Sequence, residues 1–157
     1  MYPSLETGRL VLRPWPAADL TAVLDGTRLP HWAADFPAEG DRVIAGFVAE
    51  TPGARTEYGQ RQLVERVSGE VVGSIGLFWP PSGGALEVGY GVVESRRGLG
   101  YATEAVTAIV AFALTAPGVD RVCADVEIAN PASGRVLEKA GLPRRRVDGA
   151  TAHHSTA

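Results

Sequence analysis

Apolar and polar residues alternate in GRLVLRPW (Gly8 to Trp15), which puts Leu10 and Leu12 on one face of a predicted strand ended by Pro14 and Pro16. PAADLTAVLDG then turns to helical spacing, with Pro16 near the start, Asp19 in the first turn and Gly26 past the end. A polar-aromatic loop, HWAADFPAEGD (His31 to Asp41), leads into a short second helix over DRVIAGFVAET. From Gln60 the period returns to two. QRQLVERV, a turn at Ser68-Gly69 and EVVGSIGLFW predict a hairpin. Pro80 to Gly84 predicts a further turn, followed by a strand over ALEVGYGVV.

Helical spacing reappears in YATEAVTAIVAFALT, where Ala102, Ala105, Val106, Ile109, Val110 and Ala113 make one apolar face and Pro117-Gly118 breaks the run. DRVCADVEI predicts a strand. NPASGRVLEKAG predicts a helix with Asn130 as N-cap, Pro131 at its first position and Gly141 at its end. The order β-α-α-β-β-β-α-β-α is that of one mixed α+β domain over residues 1–157. Past Gly141, PRRRVDGATAHHSTA offers one short strand (Arg144 to Val147) and an Asp148-Gly149 turn. ATAHHSTA lacks apolar alternation, so residues 143–157 are expected to be incomplete last strands or a loose tail. A sheet edge left bare in this way suggests cover by a second subunit, a homodimer.

Composition narrows the class. Of 157 residues, 45% are hydrophobic and 21% charged, which suits a globular domain with a real core. No apolar run nears the roughly 18 residues of a membrane span, and MYPSLETGRL lacks a signal-peptide pattern, so a cytoplasmic location and no membrane partner are expected. A net charge of -3 gives no reason to expect a nucleic-acid partner. The single cysteine, Cys123, excludes an internal disulfide framework and a thiolate zinc cluster, and no metal is expected. Mid-strand between apolar neighbours, it reads as an inert thiol.

Candidate chemistry starts at ESRRGLGYATEAV. Gly98 and Gly100 precede a helix whose first N–H groups point outward with partial positive charge, the arrangement that binds phosphate oxygens; a plain tight turn would also use them. The Gly-Lys-Ser/Thr of a nucleoside triphosphatase loop is missing, and Thr103 stands where a dinucleotide fingerprint needs a third small residue.

EVGYGVVESRRGLGYATEAV followed by ADVEIANPASGRVLEKAGL resembles the GNAT superfamily of N-acetyltransferases, most of all the branch that acetylates protein N-termini, including those of ribosomal proteins. The family signature Arg/Gln-x-x-Gly-x-Gly/Ala is met by Arg97, Gly100 and Ala102, and the likeness runs from GRLVLRPW to about Gly141. It implies a mixed, mostly antiparallel central sheet with a splayed parallel strand pair, flanked by helices. It also implies acetyl-CoA as cosubstrate and an amine acceptor. Gly98, Leu99, Gly100, Tyr101 and Ala102 would offer N–H groups to the pyrophosphate. Val92 and Val93 would meet the pantetheine arm where the strand at 90–93 parts from that at 121–128. A backbone N–H near Val92 would face the thioester carbonyl.

Catalytic candidates follow. Strand alternation puts Glu87, Gly89 and Gly91 on one face, so the Glu87 carboxylate has open space beside it and, at a position where the family carries glutamate, would take the amine's proton. Asn130 would bond the pantetheine as well as cap its helix. Ser133 matches the serine of the family's Asn-x-x-Ser pattern and would hydrogen-bond the leaving sulfur, since no tyrosine lies between Asn130 and Gly141. His31, Trp32 and Phe36 are candidates for the acceptor wall, although packing under a lid explains the same aromatics. An acetyl-CoA-dependent N-acetyltransferase is the expected function; a non-catalytic acetyl-CoA-binding or sensing domain is the alternative.

Overall fold

The computed structural model describes residues 2–157. In chain order the elements are β1 (Leu5–Glu6), β2 (Leu10–Pro14), α1 (Ala17–Asp25), α2 (Glu39–Glu50), β3 (Gln60–Glu65), β4 (Val71–Ser82), β5 (Ala85–Val92), α3 (Tyr101–Ala113), β6 (Arg121–Glu127), α4 (Pro131–Lys139), β7 (Arg144–Asp148) and β8 (Thr151–Ser155). Short 3-10 turns occupy Pro52–Arg55 and Glu94–Arg96. No helix among the described residues is long and apolar enough to cross a membrane.

The strands form one eight-stranded sheet in the order β1-β2-β3-β4-β5-β6-β8-β7. All neighbours are antiparallel except β5 and β6. That parallel pair is joined only at Ala85↔Arg121, Leu86↔Val122 and Glu87↔Cys123. Beyond it β5 continues to Val92 and β6 to Glu127 unpaired with each other, so the sheet opens as a wedge. This is the mixed, mostly antiparallel α+β sheet with a splayed parallel pair that the resemblance implies, with helices on both faces.

Side-chain contacts sort the helices. Gln62 donates to Asp19 of α1, Ser74 donates to Asp41 of α2, and the Phe78 ring meets Phe47 of α2, so α1 and α2 cover one face. Arg61 lies over the Phe112 ring of α3 and Tyr90 donates to the Ser133 carbonyl of α4, so α3 and α4 cover the other. Ala105, Val106, Ile109, Val110 and Ala113 of the expected apolar face are buried against β-strand residues such as Leu63, Ile75 and Leu86. Each large aliphatic side chain buried there contributes about 1.5–3 kcal/mol.

The chain departs from the sequence expectation chiefly at its end. Residues 143–157 are not a loose tail: β8 pairs with β6 from Cys123↔Ser155 to Glu127↔Thr151, and β7 pairs with β8 outside it. Burial on β8 is carried by Ala152 and His154, a small residue and a histidine whose Nδ1 lies 2.8 Å from the Leu142 carbonyl. Neither scores as apolar alternation. With these strands in place, the bare edge that suggested a second subunit is filled, and the sheet now ends at β7, exposed along its length with Arg144, Arg145 and Arg146. Charged side chains on an edge strand discourage further strand pairing. The turn expected at Pro80 to Gly84 is also shorter, since β4 runs through both prolines to Ser82 and only Gly83 and Gly84 turn.

Candidate active site

The glycine loop is held open by backbone geometry. Gly98 (φ 77) and Gly100 (φ 82) occupy the left-handed region, which side-chain-bearing residues enter at a cost of about 1–2 kcal/mol. Gly100 precedes α3, whose first helical bond runs from Glu104 N–H to Gly100 O. The N–H groups of Tyr101, Ala102 and Thr103 therefore have no partner within the helix. Three clamps fix the loop from different parts of the fold. Asp35 accepts from Ser95 N–H and Oγ, both at 2.8 Å. Glu65, buried on β3, accepts from Tyr101 Oη at 2.7 Å and from Arg96 Nε at 3.2 Å. Arg9 donates to the Leu99 carbonyl at 2.8 Å while its Nε pairs with Glu104. Burial pushes the Glu65 carboxyl up, but hydrogen bonds from Ser68, Tyr101 and Arg96 and the Arg96 charge outweigh it and hold the group below its ordinary range.

The wedge beside the loop presents backbone groups as well. Val93 N–H donates to Val72 O, and Gly73 lies opposite Val92, so Val92 belongs to a non-hydrogen-bonded pair with β4. Its own N–H and C=O therefore face the wedge, and by the same alternation so do those of Tyr90. Arg97 Nε donates to the Val92 carbonyl at 3.2 Å, leaving the Val92 N–H outward. Across the wedge, Asn130 caps α4: its Oδ1 accepts from Ser133 N–H and its Nδ2 donates to Ser133 Oγ at 3.2 Å. With Oγ accepting that bond, the Ser133 hydroxyl proton is free to be donated. A cavity of about 550 Å³ runs between loop and α4, with Arg97, Gly98, Gly100 and Ala102 on one wall and Ser133, Arg135 and Lys139 on the other. Outward N–H groups, unpaired wedge peptides and basic side chains are what a pyrophosphate and a pantetheine arm require, so these residues fit acetyl-CoA.

A second cavity, about 390 Å³, lies on the opposite sheet face between α2 and the β4–β5 hairpin, over Gly89 and Gly91 and beside Asp41, Gln60 and Ser74. Tyr90, Gly91, Val92 and Arg97 border both cavities, so the two meet at the wedge. Glu87 lies on the same face as Gly89 and Gly91, exposed, and opposite Phe78 on β4. Its tip is open to solvent, but the neighbouring strands strip part of its water, and that partial desolvation, then the Asp125 charge, raises its carboxyl above the ordinary range. Beyond it the face is open, and Asp125 pairs with His153 of β8 at 2.6 Å. Cys123 is half-buried next to Glu87, and burial with the two neighbouring carboxylates pushes its thiol up, away from the reactive thiolate.

Some expected site residues lie elsewhere. Val93 is buried, its N–H bonded to Val72 O and its C=O to Arg96 N–H, so it has no backbone group to offer the pantetheine. Leu99 turns its side chain outward, gives its carbonyl to Arg9 and, unlike Gly98 and Gly100 on either side, does not line the cavity beside the loop. Trp32 (3% exposed) and Phe36 (0%) are core residues in edge-to-face contact, not an acceptor wall. Asp19 fixes that segment, with Trp32 Nε1 and His31 Nε2 each 2.9 Å from its Oδ2. Residues that sequence reasoning missed include Arg135 and Lys139, whose i, i+4 spacing on α4 was a readable signal, and Asp41, Gln60 and Ser74, which had none.

Fold, loop and wedge together define an acyl-CoA transferase of the GNAT type, and the family model described as Acetyltransferase (GNAT) domain matches residues 9–143. The chain belongs to the GNAT acetyltransferase family and is an N-acetyltransferase. The uncharacterized N-acetyltransferase YoaA of Bacillus subtilis (strain 168) is 26% identical over 153 residues, covering 94% of this chain and 86% of its own. The acetyltransferase (GNAT family) from Bacillus anthracis shares the fold with a TM-score of 0.71 at 21% identity, over 98% of this chain and 97% of that one. The ribosomal-protein-S5-alanine acetyltransferase from Vibrio fischeri does so at 0.67 and 18%, over 98% and 96%.

Proposed function

We propose that this chain moves the acetyl group of acetyl-CoA to a primary amine, a protein N-terminus or a small-molecule amine, by direct transfer in a ternary complex. One observation carries the reading: the loop-side and α2-side cavities meet at Tyr90–Val92, so a donor in one and an acceptor in the other touch at a single point. Holding both substrates in register supplies much of the acceleration. The N–H groups of Gly98, Gly100, Tyr101 and Ala102 hold the pyrophosphate, with Arg97 framing the turn. Val92 N–H, or Tyr90 N–H deeper in the wedge, faces the thioester oxygen. Asn130 bonds the pantetheine, and the Ser133 hydroxyl donates to the departing sulfur.

Glu87 takes the amine's proton. It stands three residues from Tyr90 on an extended strand, about 10 Å, so the proton travels through water. A protein N-terminus as acceptor draws support from the ribosomal-protein acetyltransferase that shares the fold. An acceptor screen with peptides and small amines in parallel, read by release of CoA thiol, tests the reading. Turnover of an amine sustains it. Acetyl-CoA bound without any turnover would favour a binding or sensing domain, and no acetyl-CoA binding at all would sink both.

A further inference from the structure

Among the described residues the buried carboxylates are Asp19, Asp41 and Glu65, and they are treated differently by the fold. Asp19 has Arg13 and His31 within ion-pair distance, and Glu65 has Arg96. Asp41, only 4% exposed, has no cation within that distance among the described residues. It is instead aimed by hydrogen bonds: Oδ1 accepts from Ser74 Oγ at 2.6 Å and Oδ2 from Ala38 N–H at 2.8 Å. The first turn of α2 and the Arg42 charge offset only part of what burial costs this carboxylate, so on a cavity wall, with no ion-pair partner, it favours whatever brings a cation. Burial accordingly lifts the Asp41 carboxyl above its ordinary range, against the pull of Ser74, Ala38 and the Arg42 charge.

The cavity that Asp41 lines is the one over Gly89 and Gly91 that meets the donor side at Tyr90–Val92. Both its carboxylate oxygens keep a lone pair beyond the bonds named, and Ser74 Oγ, which donates to Asp41, can itself accept from a ligand. We infer that Asp41 is the ammonium-binding residue of the acceptor site: a primary amine enters as its cation, docks on the Asp41 carboxylate beside Ser74, and is thereby selected over neutral molecules of the same shape. The inference rests on the acetyl-transfer reading for where the acceptor sits. It assigns Asp41 recruitment and specificity, and leaves proton removal to Glu87.

The test separates binding from turnover. Protein loaded with CoA, which cannot transfer acetyl, is titrated by NMR with benzylamine and with its neutral counterpart benzyl alcohol. Wild type should prefer the amine by at least ~10-fold, the scale of one charge-assisted hydrogen bond, and Asp41→Asn should erase the preference. In turnover with acetyl-CoA, Asp41→Asn should raise KM for the amine by about 10- to 100-fold while kcat and acetyl-CoA affinity change little. Ser74→Ala, which removes the aiming hydroxyl and keeps the charge, should raise KM by a smaller factor. Equal binding of amine and alcohol by wild type, or an amine preference that survives in Asp41→Asn, overturns the inference. Wild type that prefers the amine yet acetylates none would instead sink the acetyl-transfer reading and leave the ammonium site standing. Should Asp41→Asn fail to fold, the wild-type pair of ligands and Ser74→Ala still decide.

Discussion

On the donor side of the cleft the outward-facing groups are backbone N–H groups around Gly98 to Thr103, set by two left-handed glycines and clamped through Arg9, Asp35 and Glu65. On the proposed acceptor side, between α2 and the β4–β5 hairpin, they are side chains: Asp41, Gln60 and Ser74, with the Asp41–Ser74 pair 33 residues apart in sequence. A site built of backbone is indifferent to many side-chain changes and intolerant of anything that alters φ. A site built of side chains is the reverse, because each group can be swapped without moving the chain. The two halves should therefore fail separately, and variants that failed in both would break the division.

The largest effect belongs to Glu87→Gln. If Glu87 is the proton acceptor we propose, its removal should lower turnover by about 10²- to 10⁴-fold, and acetyl-CoA affinity measured by calorimetry should stay at the wild-type value. Loss of acetyl-CoA binding in this variant would place Glu87 on the donor side and undo the contrast. Gly100→Val comes next, on the donor half. Valine at φ 82 incurs about 1–2 kcal/mol and adds a β-branched side chain that approaches the Arg9 guanidinium, whose Nη2 already lies 3.3 Å from where a Cβ would stand. Acetyl-CoA affinity should fall at least ~10-fold by calorimetry, with the preference for benzylamine over benzyl alcohol intact. Unchanged acetyl-CoA affinity would show that the loop conformation does not matter to the donor.

The same contrast explains what could be read in advance. The donor half was visible because its requirements are local: Gly98 and Gly100 at fixed spacing, an apolar helical face behind them, and Asn130-Pro131 opening α4. Most elements were equally plain, since β2, β5 and α3 carry clean periodicity. The acceptor half was not, because nothing in residues 31–41 says that Asp41 will meet Ser74 while Trp32 and Phe36 turn into the core. Their aromatic character suggested a ligand wall, and tertiary packing around Asp19 claimed them instead. The strand at Arg144 was legible, but the last strand, β8, was missed for a related reason: Ala152 and His154 are buried by pairing with β6 rather than by their own hydrophobicity.

A milder donor-side change is Tyr101→Phe, which deletes the hydroxyl bond to Glu65 and keeps the packed ring. A hydrogen bond to a charged acceptor contributes about 1.5–3 kcal/mol, yet Glu65 retains Ser68 and Arg96, so a loss of about 1 kcal/mol in unfolding free energy is expected. Acetyl-CoA affinity should weaken by no more than a few-fold. Chemical denaturation and calorimetry on the same sample check both, and an affinity loss as large as that of Gly100→Val would mean that the clamp, not the glycines, fixes the loop.

The smallest effect concerns how Asp41 couples to pH. Its folded-state carboxyl titrates above the unfolded one because burial penalises the charge, so the folded protein binds that proton more tightly. Stability from this group is then full below the ordinary carboxylate range and is lost as pH rises through the raised value. Asp41→Asn removes the titration, while the carboxyls held low by their partners, Asp19, Glu65 and Glu104, act equally in both proteins and cancel. Arg42 on α2, and Tyr90 and Arg97 across the cavity, are the other charged or titratable groups nearby, and they too are common to both. The Tm of Asp41→Asn relative to wild type should accordingly move upward as pH rises from the ordinary carboxylate range through the raised value. A relative Tm that falls over that span would mean that Asp41 is stabilised as a charged group by a partner within the protein, and the acceptor side would then hold no uncompensated charge for an ammonium to meet.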